Sequence, residues 1–163
     1  NAEVDLGIIS YPSALPDIDV IPLRSERMSL VCSPQHRLAK ETAVTAEHLQ
    51  NEDFVAFDRD LSIRKEIDRY LRQRSVNIRI VMEFDNIETI KQAVEIGAGI
   101  SILPEPPIRE ACRNGSLVAV RLIAPELYRP IGIIHRQRKV FTPTAAKFVE
   151  LLKEVQLQAP EES

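Results

Sequence analysis

Two short stretches, Asp58-Arg59-Asp60-Leu61-Ser62-Ile63 and Asp85-Asn86-Ile87-Glu88, stand where an apolar strand pattern gives way to a helical repeat. A helix that starts there exposes backbone N–H groups and the positive end of its dipole, which suit a carboxylate, sulfate or phosphate. Ser62 adds a hydroxyl and Asn86 an amide. The same residues also read as helix caps: Asp60 or Ser62 for the first helix, Asp85 or Asn86 for the second, with Glu88 three positions after Asp85 as in a capping box. Sequence alone leaves both readings open. Asp58, Asp60, Asp85 and Glu88 are read as capping and solvated carboxylates rather than a metal site or an acid–base pair. Asp58, Asp60 and Asp85 compete with an outside anion. Arg59 and Arg64 could offset that competition, but the sequence does not give their direction.

Catalysis finds little support. His36, His48 and His135 fall in three unrelated settings, and no H-x-x-x-H, C-x-x-C or G-x-S-x-G spacing occurs. Gly97-Ala98-Gly99 follows a helix rather than a strand, so it is not a dinucleotide-binding loop. Cys32 and Cys112 each sit among apolar residues and read as small buried hydrophobes in a reducing compartment. The expectation is a protein that is not an enzyme and holds no metal or cofactor. Tryptophan is absent and aromatic residues make up 5%, which argues against a stacking platform for single strands. A net charge of −3 argues against direct DNA binding by this chain. No apolar run approaches the roughly 18 residues of a membrane span, and no signal segment is visible. The chain reads as cytoplasmic with no membrane partner.

The elements that must position these residues alternate. Val4–Ile9 reads as a buried strand, and Ile18 to Leu23 extend beyond a Pro12/Pro16 loop. Met28–Cys32 is a strand that Pro34 stops, and Thr45 caps a short helix ending near Leu49. Phe54–Phe57 is a strand followed by a helix whose inner face is Ile63, Ile67, Tyr70 and Leu71. Ile78, Ile80, Met82 and Phe84 alternate with more polar positions, the period of a half-buried strand. The unit Asp85–Glu105 reads as capped helix, glycine stop at Gly97, buried strand Ile100–Leu103 and break at Pro104. Ile90, Val94, Ile100 and Leu103 are its expected core. Pro106-Pro107 opens a helix that Asn114-Gly115 closes. Leu117–Leu122 and Ile131–His135 are strands, and Thr142-Pro143 starts a last helix with a core face of Phe148, Val149, Leu152 and Val155. The tail from Gln156 reads as polar and frayed. Such alternation predicts a parallel sheet covered by helices.

The piece DNIETIKQAVEIGAGISILPE (Asp85–Glu105) resembles the effector-binding domain of LysR-type transcriptional regulators. So do, in order, DLGII (Asp5–Ile9), MSLVCSPQHRLA (Met28–Ala39), FVAFDRDLSIRKEID (Phe54–Asp68), NGSLVAV (Asn114–Val120) and RPIGIIHRQRKVFTPTAAKFVELL (Arg129–Leu152). The resemblance implies an α/β, two-lobed fold like a type II periplasmic binding protein. It places residues 1–34 and 104–163 in a first, incomplete lobe and 35–103 in a second, with crossings near Cys32–Pro34 and Leu103–Glu105. It further implies a fragment lacking the winged helix-turn-helix and the first part of the effector domain. By the same resemblance a small metabolite, expected to be anionic, would bind in the inter-lobe cleft and control transcription. The effector-binding residues carried over are Ser10, Asp58, Leu61, Ser62, Ile63, Asp85, Asn86 and Ile87. Partners implied are a second copy, as homodimer or homotetramer, and DNA through the absent N-terminal domain. The competing reading is a transporter's solute-binding protein or a small α/β enzyme of similar architecture.

Overall fold

The computed structural model describes residues 6–13, 15–137 and 140–157, the last two for their backbone only. The expected strand start at Val4 and Asp5 and the tail beyond Leu157 lie outside the described residues. Eight strands are described: β1 (Gly7–Ser10), β2 (Ile18–Cys32), β3 (Ala43–Val44), β4 (Asp53–Phe57), β5 (Arg79–Phe84), β6 (Ser101–Pro104), β7 (Val118–Leu122) and β8 (Leu127–Arg136). Four α-helices accompany them: α1 (Ser62–Arg72), α2 (Ile87–Glu95), α3 (Arg109–Arg113) and α4 (Pro143–Leu157).

The chain divides into one unit of Asn1–Ser25 with Pro130–Ser163 and another of Glu26–Arg129. It passes between them inside β2 and returns inside β8. The expected boundaries at 34/35 and 103/104 therefore need correction. Pro104 pairs with Met28, and β7 pairs with β2 from Ser29↔Arg121 to Cys32↔Val118. These antiparallel pairings hold residues 104–129 in the second unit. The proline ends β6 without ending the unit.

The expected parallel sheet proves to be mixed. In the second unit the end of β2 lies between β6 and β7, antiparallel to both, and β3 joins β7 in parallel. β4 and β5, joined through α1, form a parallel pair, with Phe57 opposite Phe84 at its carboxyl end. Ile100, just before β6, bridges to Phe54 in parallel. Its N–H donates to Asp53 O at 2.8 Å, and Val55 N–H donates to Ile100 O at 2.8 Å.

The core of this unit sits where the helix–strand reading put it. Ile90, Val94, Ile100 and Leu103 are all fully buried, beside Met28, Leu30, Phe54, Ile67 and Ile102. Each fully buried side chain of this size contributes about 1.5–3 kcal/mol. α2 stops as its sequence implies. Gly97 has φ +81°, its N–H donates to Val94 O, and Ala98 N–H donates to Ala93 O, the two bonds of a Schellman ending. Gly99 has a different reason to be glycine: a Cβ there would lie 2.6 Å from Asp53 O, against strand backbone that cannot move aside.

Three apolar faces differ from expectation. β5 forms, but Ile80, Val81 and Met82 are 36–40% exposed, because among the described residues β4 is its one strand neighbour. In the first unit β1 pairs antiparallel with β8, from Gly7↔Ile134 to Ser10↔Ile131, yet Ile8 and Ile9 are exposed rather than buried. On α4 only Val149 of the expected face is buried, while Phe148 and Val155 are exposed and Leu152 is half-buried. Among the described residues no helix is long and apolar enough to cross a membrane.

Candidate functional site

The parallel register of β4 and β5 brings both helix starts to one sheet edge. Phe57 and Phe84 are opposite each other, and Asp58 N–H donates to Phe84 O at 2.9 Å. From these paired ends the chain turns twice, through 58–61 into α1 and through 85–86 into α2. This is the carboxyl edge at which α/β sheets hold ligands. Of the residues singled out from sequence, Asp58, Leu61, Ser62, Ile63, Asp85, Asn86 and Ile87 therefore belong to two neighbouring turns. Ser10 ends β1 in the first unit and is half-buried there.

The caps answer the question that the sequence left open, and differently for each helix. α2 is capped by Asn86: its Oδ1 accepts from Thr89 N–H and from Thr89 Oγ1, both at 2.9 Å. Its Nδ2 donates to Asp85 Oδ1 at 2.8 Å. Asp85 is thus not the cap, and the expected Asp85/Glu88 capping box does not form, Glu88 pairing with Lys91. α1 begins after Leu61, which has extended backbone (φ −74°, ψ 138°) and makes no side-chain cap. Neither Asp60 nor Ser62 caps it. Leucine is among the poorest N-cap residues because it has no acceptor to offer the first-turn amides. Ser62 is exposed at the first position of that turn, and Asp58, Arg59 and Asp60 are exposed beside it.

One charged side chain lies beneath both turns. Arg64 is 5% exposed. Its Nη1 donates to Phe57 O at 2.6 Å and to Glu83 Oε2 at 2.7 Å, and its Nε donates to both Asp68 oxygens at 2.9 and 3.0 Å. Burial opposes its charge, but the bonds to Glu83 and Asp68 outweigh that and raise its pKa. Glu83 is held below the usual carboxylate range, first by the Arg64 bond and further by Arg59 at 3.5 Å. Sequence inspection named Arg64 only as a cation of unknown direction. The signal available was its place next to Ile63 in the inward stripe of α1, with Asp68 four residues on.

The other reactive types serve local structure. His36 Nδ1 accepts from Leu38 N–H and its Nε2 meets Glu52 at 3.1 Å, while His48 Nδ1 accepts from Thr45 N–H. His135 packs edge-on against Phe141. Both cysteines are free; Cys32 is buried, which pushes its thiol up to about 11, and Cys112 is half-buried. Among the described residues no group of three or more His, Cys, Asp or Glu is placed to hold a metal ion. An open groove of about 640 Å³ lies at the far end of α1, lined by Asp68, Leu71, Arg72, Ser75, Val76, Asn77 and Ile78. It includes none of the helix-start residues.

Residues 1–157 match the family model described as the LysR substrate binding domain. A probable RuBisCO transcriptional regulator of Cyanophora paradoxa is 30% identical over 168 residues, covering 99% of this chain and 52% of that protein. The chain spans about half the length of the curated relatives it matches. Among solved structures, the regulatory domain of Synechocystis PCC6803 CcmR in complex with 2-PG superposes with a TM-score of 0.87 at 22% identity, covering 97% of this chain and 76% of that one. The effector binding domain of QuiR in complex with shikimate superposes at 0.82 with 20% identity, covering 95% and 73%. These likenesses establish the fold, the α/β fold of those two domains.

Proposed function

The chain belongs to the LysR substrate-binding domain family, and from that premise we propose that it senses a small anionic metabolite on behalf of a transcriptional regulator. The observation that carries the ligand class is the uncapped start of α1. Its first-turn N–H groups and the Ser62 hydroxyl open at the carboxyl edge of β4–β5, beside the start of α2. An anion would supply there what Leu61 lacks, two or three hydrogen bonds to backbone N–H and a favourable dipole. Asp58, Leu61, Ser62, Ile63, Asp85, Asn86 and Ile87 form the proposed wall. The ligands of the two solved relatives support this reading, since 2-PG bears a phosphate and shikimate a carboxylate.

The intact regulator, in this proposal, is a cytoplasmic homodimer or homotetramer. It contacts DNA through a separate N-terminal domain, not through this chain. The effector acts by its difference in affinity between two arrangements of the regulator, and that difference limits the size of the response. The domain performs no chemistry on its ligand.

Thermal denaturation in the presence of single compounds tests the ligand class. Phosphate, sulfate, 2-PG and shikimate should include the compounds that raise the melting temperature, while neutral and cationic metabolites leave it unchanged. A ligand at 100 times its Kd stabilises by about 2.7 kcal/mol, which such a scan resolves. A cationic compound that stabilises, and loses its effect in D58N or D85N, would overturn the proposal.

A further inference from the structure

We infer that Arg64 is the positioning residue of the effector wall, a buried clamp that sets the 58–61 and 85–86 turns relative to each other without touching the ligand. The inference rests on the site proposed above. Three features lead to it. The guanidinium reaches the last carbonyl of β4, at Phe57, and the carboxylate of Glu83, the next-to-last residue of β5. One planar donor group thus spans the two strand ends from which the turns depart. Its Nε is held by Asp68, four residues along the same helix, so its direction is fixed from a third side. It is 5% exposed, whereas Ser62 and Asn86 are exposed, which places it behind the wall rather than on it.

The chemistry suits arginine specifically. A rigid fork of donors can satisfy a carbonyl and two carboxylates at once, and lysine, a point charge on a flexible stem, cannot. The arrangement also occupies Glu83, whose carboxylate, two residues from Asp85, would otherwise be left to the exposed Arg59 alone and weaken an anion bound there. The positive charge that pairs it is itself spent on Glu83 and Asp68. Arg64 therefore leaves the dipole and N–H groups of α1 as the attraction felt at the wall.

Amide-resolved NMR on the full chain tests this with R64K and R64M, through hydrogen exchange and through titration with inorganic phosphate. The expected result is exchange at Asp58 and Leu61 about tenfold faster or more in both variants, since these amides close the first turn onto Phe84 O and Asp58 O. Val55 in β4 and Ile100, which is bridged to that strand, should keep their wild-type protection. Phosphate affinity should fall about tenfold or more in R64K, a loss that a charge-preserving substitution would not cause if charge alone mattered. Unchanged exchange at Asp58 and Leu61 would overturn the inference. So would acceleration of equal size at Val55 and Ile100, which marks a general loss of stability, or wild-type phosphate affinity in R64K. If the wild-type chain itself shows no phosphate response, the site reading fails, and the exchange pattern alone decides whether Arg64 clamps the turns.

Discussion

Two helices start side by side at the ends of β4 and β5, and they are finished differently. α2 carries its own cap, Asn86, whose side chain closes on Thr89 and on Asp85. α1 carries Leu61, whose side chain caps nothing. Propensity alone would favour Asp, Asn, Ser or Thr at both positions, and an absent cap typically costs about 1 kcal/mol. A fold that forgoes this at one of two adjacent starts has left its backbone donors open at the carboxyl edge of the sheet, where we propose the effector binds. Capping accounts for Asn86 and leaves Ser62 unexplained by structure. The contrast leaves one of two equal candidates closed by its own side chain and the other open.

The largest expected effect strikes the frame that both starts share. I100A removes a fully buried side chain from the bridge that joins β4 to the start of β6. It should destabilise by about 2–5 kcal/mol in denaturant titration. A loss well below 1 kcal/mol would mean that the strand ends are not held from behind, and the comparison would lose its rigid reference. A smaller effect separates the starts themselves. N86A should cost about 0.5–2 kcal/mol by removing the α2 cap, whereas S62A should stay within about 0.5 kcal/mol because its hydroxyl caps nothing. Equal losses in the two variants would show that Ser62 has a structural duty after all and would dissolve the contrast.

The sequence was legible where local rules decide. The helix–glycine–strand unit from Asn86 to Leu103 follows from capping, periodicity and a left-handed Gly97, and its four expected core residues are buried. The existence and inward face of α1 were equally plain. It was illegible where long-range pairing decides. Alternation placed β5 in a half-buried layer, but strand exposure depends on which neighbours arrive, and β5 has β4 on one side only among the described residues. The unit boundaries failed for the same reason: nothing local to Pro104 says that β6 and β7 both pair with the end of β2. The two helix starts were legible, but the duties of the residues at them were not. Asp60 and Asp85 looked like caps by type, and a cap position differs from its neighbour by one residue, within the ordinary uncertainty of a helix boundary. Arg64 was hidden because a charged residue on an inward stripe is read as solvated unless its partners, here Phe57 O and Glu83, are known.

The central claim is that the open start of α1 holds the anion, and a pair of substitutions at Leu61 tests it most directly. L61A leaves the start without a cap; L61D places a carboxylate where the anion would bind and satisfies the same N–H groups from within. Thermal shift by phosphate and 2-PG, read on both variants and the wild type, should persist in L61A and vanish in L61D. A response of wild-type size in L61D would contradict the account.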